Sequence, residues 1–289
     1  MRNFSEGDFI WAYDKLKRSK FRTNVRNVAA ERYFYNSEEL ARITGDKQFI
    51  EKRLSKIEGK YKSVTDDLFE RLGTKSFVLD DETRGFLSLF MAIQMCRTKE
   101  SLVSSVQLIE ATLEVMKKAC VKASILVPPE YELNAEQSAR ESLQKTLVNA
   151  DEIQNYAQIL NTHIWIIMRA PPGEVFLTSD HPFAKRPHIV KTWRSMSGIA
   201  SKGIEIAFPL SSRYLLTLYD AEYFHRLIPR NGTASSHLCH ENMIYYNQFQ
   251  VKDSNRFIFS EVDDFSFVDF LLNDQPELAN PNRNRVEVI

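Results

Sequence analysis

The sequence has few cysteines: Cys96, Cys120 and Cys239 among 289 residues. Their number is odd, their spacing wide, and no Cys-x-x-Cys occurs, which excludes a disulfide framework and a zinc knuckle. A reducing compartment, the cytoplasm, is the expectation. No apolar run approaches the roughly 20 residues that span a bilayer, so no membrane partner is expected. The opening Met1-Arg2-Asn3-Phe4-Ser5 lacks the pattern of a signal peptide. Net charge is also absent, with 38 basic and 38 acidic residues. Bulk charge alone would therefore not hold this protein on nucleic acid. The sequence has no Walker loop, G-x-G-x-x-G, G-x-S-x-G or H-E-x-x-H, which argues against nucleotide-driven motors, dinucleotide oxidoreductases and α/β-hydrolases.

What is present is an ordinary globular composition, 43% hydrophobic and 26% charged. Charge is unevenly spread. Residues 1–62 hold 15 Lys/Arg against 9 Asp/Glu, and residues 261–289 hold 7 acidic against 2 basic. Phe9, Trp11 and Tyr13 alternate, as do Phe21, Thr23 and Val25, which predicts a β-hairpin around the charged stretch 14–20. Tyr33-Phe34-Tyr35 forms a short apolar anchor. Helical periodicity then runs from about 37 to 162. Its capping signals are Ser37, Asp80, Thr98 and Asn134, the last opening one long helix through Leu160. Strands return at Ile164–Met168, apolar enough to be covered on both faces. Ile204–Phe208 and Tyr214–Leu218 make a second hairpin, in which Glu205 is expected on a solvated face. A helix is expected from Ser235 to Phe249, and a last strand over Arg256–Ser260.

The fold class predicted is α+β, with one mixed or antiparallel sheet assembled from the N-terminal hairpin and the C-terminal strands. A central block of helices packs beside it. The expected organisation is one domain over residues 1–272, with a helical block at 37–162, strand-rich parts at 1–36 and 163–272, and a loose tail at 273–289. A separable helical domain is the alternative.

Several segments carry a resemblance. They are Arg2-Asn3-Phe4, Ile10–Lys15, Asn27–Tyr35, Gln94-Met95-Cys96-Arg97-Thr98, Phe176–Pro182 and Pro209-Leu210-Ser211-Ser212. In this order and spacing, the chain resembles the bacterial domain-of-unknown-function family numbered 4238, from its start to about Ser260. The resemblance implies a shared fold and no particular activity. Members open with a His-Tyr-Val-Pro-like segment before the Asn-Phe, and this sequence starts at Met1, inside that region. Either the start is mis-assigned, it is trimmed, or this member lacks the segment; if that histidine carries the family's chemistry, the expectation is an inactive chain.

Among residues that carry chemistry, Ser179-Asp180-His181-Pro182 follows an apolar strand, where scaffolds place functional side chains. Asp180 could act as a base or a metal ligand with His181 assisting; an Asx-turn is the structural alternative. Arg97 continues the stripe of Phe86, Phe90 and Ile93, with Gln94 beside it, and an inward arginine needs a carboxylate or phosphate partner. Glu58 or Glu51 could supply the carboxylate. His237 and Glu241 share a helix face at i, i+4 without further ligands of diagnostic spacing. Lys15, Lys17, Arg18, Lys20 and Arg22 surround Phe21 at the hairpin tip and could grip a nucleic acid, or simply guard a sheet edge. Two functions follow as expectations. One is a phosphodiester or nucleotide hydrolase, a nuclease-like toxin or defence effector, with a divalent metal left open as cofactor. The other is a non-enzymatic interaction protein with a protein partner.

Overall fold

The structure is a computed structural model that describes residues 1–27, 45–46, 48–74, 76–190 and 196–286. The anchor Tyr33-Phe34-Tyr35 and the cap at Ser37 lie outside the described residues. The hairpin forms as its alternation predicts: β1 (Phe9–Asp14) pairs antiparallel with β2 (Ser19–Asn24), Phe9 opposite Asn24.

Helices follow, and side chains set their ends. α1 spans Phe49–Leu72, and α2 spans Asp81–Cys96. The carboxylate of Asp80 accepts from Thr83 N, fulfilling one donor that the first turn of α2 leaves orphaned. Arg71 at the end of α1 reaches the same carboxylate at 2.5 Å; partial burial raises Asp80, but the Thr83 N–H and hydroxyl, and then Arg71, draw it down to about 2. α3 spans Lys99–Lys122, capped by Thr98 through Ser101 N. α4 (Ala135–Val148) opens on Asn134, whose side chain accepts from Gln137 N. The single long helix expected from there is two. Asn149, with ψ 102, leaves the helical region, ends α4 and caps α5 (Ala150–Asn161) by accepting from Asp151 N and Glu152 N. Asparagine side chains compete with the helix for backbone donors, so such a break is natural here.

The remaining elements are β3 (Ile164–Arg169), β4 (Thr178–Ser179), β5 (Ala184–Pro187), β6 (Ile204–Pro209), β7 (Tyr214–Tyr219), β8 (Thr233–His237), α6 (His240–Asp253), β9 (Phe257–Ser260) and α7 (Ser266–Asp274). The fold class is α+β, but the strands form two sheets where one was expected. The hairpin joins only β9 and β4, in the order β2-β1-β9-β4. The other strands make a second sheet, β5-β6-β7-β3-β8, antiparallel except where β3 runs parallel to β8. The region from Ser235 to His237 is therefore strand, and the helix expected there begins at His240.

The second sheet is covered on both faces, as the apolar run of β3 requires. Trp165, Ile167, Ile204, Ile206 and Phe208 point to α1, α2 and α5. Ile164, Ile166, Ala207 and Tyr219 point to Met243, Tyr246 and Phe249 of α6. Each fully buried large apolar side chain contributes roughly 2 kcal/mol. The first sheet packs on α7 through Tyr13, Ile258, Val268 and Leu271. The tail expected to be loose is packed at Arg283 and Arg285, whose side chains are buried on Glu100, and Gln107 holds the backbone there on both sides, at 2.9 Å and 2.8 Å. Two buried guanidiniums outweigh the loop-like composition of its asparagines and prolines. Among the described residues no helix is long and apolar enough to cross a membrane.

Candidate functional site

The Ser179-Asp180-His181 segment is a peg between elements. Asp180 Oδ1 accepts from Asn255 N at 2.8 Å, and Oδ2 accepts from Arg256 N and Phe257 N at 2.7 and 2.8 Å. Its carboxylate thus fastens the loop that leads into β9. Burial pushes its proton affinity up, and the three N–H donors partly offset this. His181 is buried and shares a hydrogen atom with Thr98 Oγ1 over 2.6 Å. Burial drives its pKa down to about 4. Ser179 Oγ donates to Gln250 Oε1 at 2.9 Å, and Gln250 Nε2 donates to Pro182 O. Nearby, Asp253 accepts from Lys185 N at 2.8 Å, and burial raises its carboxyl to about 6. These groups satisfy one another inside the protein, as buried polar atoms must.

Arg97 and Glu58 do come together, as an ion pair of 2.6 Å with side chains 23% and 49% exposed. Gln94, one turn earlier on α2, is buried. Thr98, the next residue after Arg97, faces His181 instead.

The hairpin tip differs from the expected basic patch. Lys15 is completely buried, its Nζ donating to Val251 O at 2.9 Å and Ser254 O at 3.0 Å. Burial lowers it to about 7. It cannot meet a ligand at the surface. Arg18 bonds Asn273 Oδ1 and Leu272 O, Lys20 pairs with Asp263 at 2.7 Å, and Arg22 pairs with Glu6 at 3.4 Å. Lys17 is exposed. Arg18 and Lys20 are thus directed onto the acidic C-terminal region, Arg22 onto Glu6 at the N-terminus, and Lys15 into the interior.

A different centre lies on the second sheet, under α6. Glu205 was expected in solvent and is 3% exposed, because α6 covers the face it shares with Ala207. Its carboxylate accepts from His188 Nε2 at 2.7 Å, Tyr245 OH at 2.7 Å and Tyr246 OH at 3.1 Å. Tyr246 OH also meets Tyr219 OH at 2.6 Å. Burial, then the Glu205 charge, pushes the Tyr245 hydroxyl above the phenol range and Tyr219 up to about 12. The tyrosines remain neutral donors, and three donors compensate the buried carboxylate. The imidazole of His188 is only 30% exposed and meets Phe224 edge-on at 5.0 Å between ring centroids.

A glycine sets this geometry. Gly203, just before β6, has φ +77, and a Cβ there would come within 3.0 Å of Ile189 Cγ1. Its carbonyl accepts from His188 N at 2.9 Å and its N–H donates to Asp220 Oδ2 at 2.9 Å. Only glycine adopts that backbone without strain while the loop carrying His188 passes so close. Sequence reasoning missed Glu205 and His188. The available signal was that Ala207 and Pro209, which alternate with Glu205, do not suit a solvated face.

His237 ends β8 and Glu241 lies on α6, so they share no helix face. Among the described residues no three His, Cys, Asp or Glu side chains are gathered as a metal ion would need. Chemically, a buried carboxylate holding a partly exposed imidazole is suited to proton transfer. None of the curated proteins and none of the solved structures is significantly similar to the chain. The family model described as "Protein of unknown function (DUF4238)" matches residues 1–264, and the chain belongs to that family.

Proposed function

We propose that the protein is a hydrolase of phosphodiester or nucleotide substrates whose proton-transfer pair is Glu205 and His188. The observation that supports this reading is the 2.7 Å bond from His188 Nε2 to a carboxylate that is itself buried and held by two tyrosines. The bond makes Nε2 the protonated nitrogen and leaves Nδ1 as an acceptor. In hydrolysis, Nδ1 takes a proton from water as the water oxygen attacks phosphorus. The P–O bond to the leaving group breaks, and the leaving oxygen recovers that proton from the imidazolium. Glu205 stabilises the imidazolium in between, and proton transfer by a positioned group such as His188 typically contributes of order 10²–10⁴ in rate. Asp180 and His181 serve the fold in this reading.

The test is hydrolysis of a chromogenic phosphodiester, RNA, DNA and nucleotides by the wild type, His188→Gln and Asp180→Asn. Activity lost in His188→Gln and kept, per folded molecule, in Asp180→Asn supports the reading. Equal activity in His188→Gln sinks it.

A second reading, an interaction protein, has its own observation. The far end of α3 and the loop after it expose Val121, Ile125 and Leu126 at 70%, 61% and 89%. Grouped exposed apolar side chains mark contact surfaces. A stable complex recovered from a native host and lost on Leu126→Ser would favour it.

A further inference from the structure

We infer that the Glu205–His188 centre takes a mononucleotide, its phosphate held by Arg186 and its base laid against Tyr223. This rests on the reading of His188 as the base. Arg186 lies in β5 and His188 is the first residue beyond Pro187, where β5 ends, and both are brought to Glu205, Arg186 as its cross-strand neighbour and His188 through its Nε2. Arg186 is the direct cross-strand neighbour of Glu205. Opposite charges so placed ordinarily pair. Here they do not: Glu205 is engaged by His188 and the two tyrosines, and the Arg186 guanidinium lies 4.9 Å from the Tyr245 ring centroid and 4.6 Å from that of Phe249. Its one polar partner among the described residues is the Tyr245 hydroxyl. A guanidinium fixed in place by two rings, with donors left over, is preorganised for a phosphate.

The other end of the centre is aromatic. Tyr223 is 43% exposed and its ring centroid is 6.3 Å from that of His188. It is braced edge-on by Phe224 at 4.8 Å, and its backbone N–H is fixed by Asp220 Oδ2 at 2.8 Å. An exposed ring on a rigid turn offers a face on which a base can stack. The order along the site is therefore anion anchor, proton acceptor, stacking ring. A molecule with phosphate at one end and an aromatic base at the other matches it. A polymer is disfavoured because the basic hairpin lies on the other sheet and directs its charges onto Asn273, Asp263 and Glu6.

The experiment is calorimetric titration of the full chain with AMP, UMP, adenosine, ribose 5-phosphate and inorganic phosphate, repeated on Arg186→Gln, Tyr223→Leu and His188→Gln, with each variant's melting temperature as a folding control. AMP or UMP should bind more tightly than adenosine or ribose 5-phosphate. Arg186→Gln should weaken the nucleotides by at least about tenfold, the scale of one charge-assisted contact, and spare adenosine. Tyr223→Leu should weaken nucleotides and adenosine alike and spare ribose 5-phosphate. Nucleotides binding no more tightly than ribose 5-phosphate, or unaffected by Arg186→Gln in folded protein, overturn the proposal. Hydrolysis lost in His188→Gln without nucleotide binding also overturns it while leaving His188 as the base. Nucleotide binding that depends on Arg186 and Tyr223, with hydrolysis unchanged in His188→Gln, upholds it and removes the base.

Discussion

Glu100 and Arg285 meet across 185 residues of chain: Arg285 Nη2 donates to Glu100 Oε2 at 2.7 Å, its Nε bonds the other oxygen, and Arg283 adds a second cation at 3.4 Å. The two carboxylate-facing side chains of this pair are 9% and 8% exposed. A buried pair is poor evidence of net stability, but breaking one is costly because a desolvated charge is left behind. Glu100→Gln should therefore lower unfolding free energy by about 3–5 kcal/mol, read from urea transitions. A loss under about 1 kcal/mol would mean that the C-terminal segment lifts and rehydrates its arginines at little cost.

Asp180→Ala removes the acceptor of three backbone N–H groups at once. Each buried donor left unmatched costs about 1–3 kcal/mol, moderated where the loop can relax toward water. The expected result is a loss of several kcal/mol and faster hydrogen exchange at Asn255, Arg256 and Phe257. Unchanged exchange at those amides would show that the carboxylate is not their anchor.

His181 and Asp253 give stability opposite slopes with pH. Burial lowers His181 to about 4, from an ordinary 6.5, so the folded state binds fewer protons than the unfolded between those values. Stability then rises with pH across that window. Burial raises Asp253 to about 6, from 3.8, so the folded state binds more protons and stability falls as pH rises from about 4 to 6. The two effects oppose one another in the wild type. His181→Gln should expose the falling slope and Asp253→Asn the rising one, in melting temperatures recorded from pH 4 to 7. Parallel profiles in the two variants would refute both assignments.

The parts of the fold legible in the sequence were those fixed by local chemistry. Asp80, Thr98 and Asn134 cap helices because their side chains reach donors three residues on. The pairing of β6 with β7 follows from a short connection between two apolar runs. What was not legible depended on distant partners. Nothing local to Lys15 says that its ammonium will rest on Val251 O and Ser254 O. Nothing local to Arg283 and Arg285 says that Glu100 awaits them. The division into two sheets hinges on β9 choosing β1 over the strands nearer in sequence. In the candidate site, the Arg97–Glu58 pair could be anticipated from helical spacing. Glu205 could not, because whether its face was solvated depended on where α6 packed.

The two tyrosines on Glu205 allow the carboxylate's charge to be separated from its place in the fold. In Glu205→Gln, the amide oxygen can still accept from His188 Nε2, while the amide nitrogen faces a tyrosine hydroxyl that can turn to accept. Geometry survives and the charge does not. If Glu205 only positions the ring, kcat should be nearly unchanged. If it stabilises an imidazolium, kcat should fall by about 10²-fold with KM little altered. The second result is expected, since the carboxylate is buried and a charge exerts more force where water cannot screen it. Tyr245→Phe is the control. It removes one hydroxyl from Glu205 and the polar partner of Arg186 without touching His188, so stability should drop by about 1–2 kcal/mol and KM should change through Arg186, while kcat follows the charge that remains. A Tyr245→Phe variant as impaired in kcat as Glu205→Gln would assign the chemistry to the hydroxyl network and not to the Glu205–His188 pair.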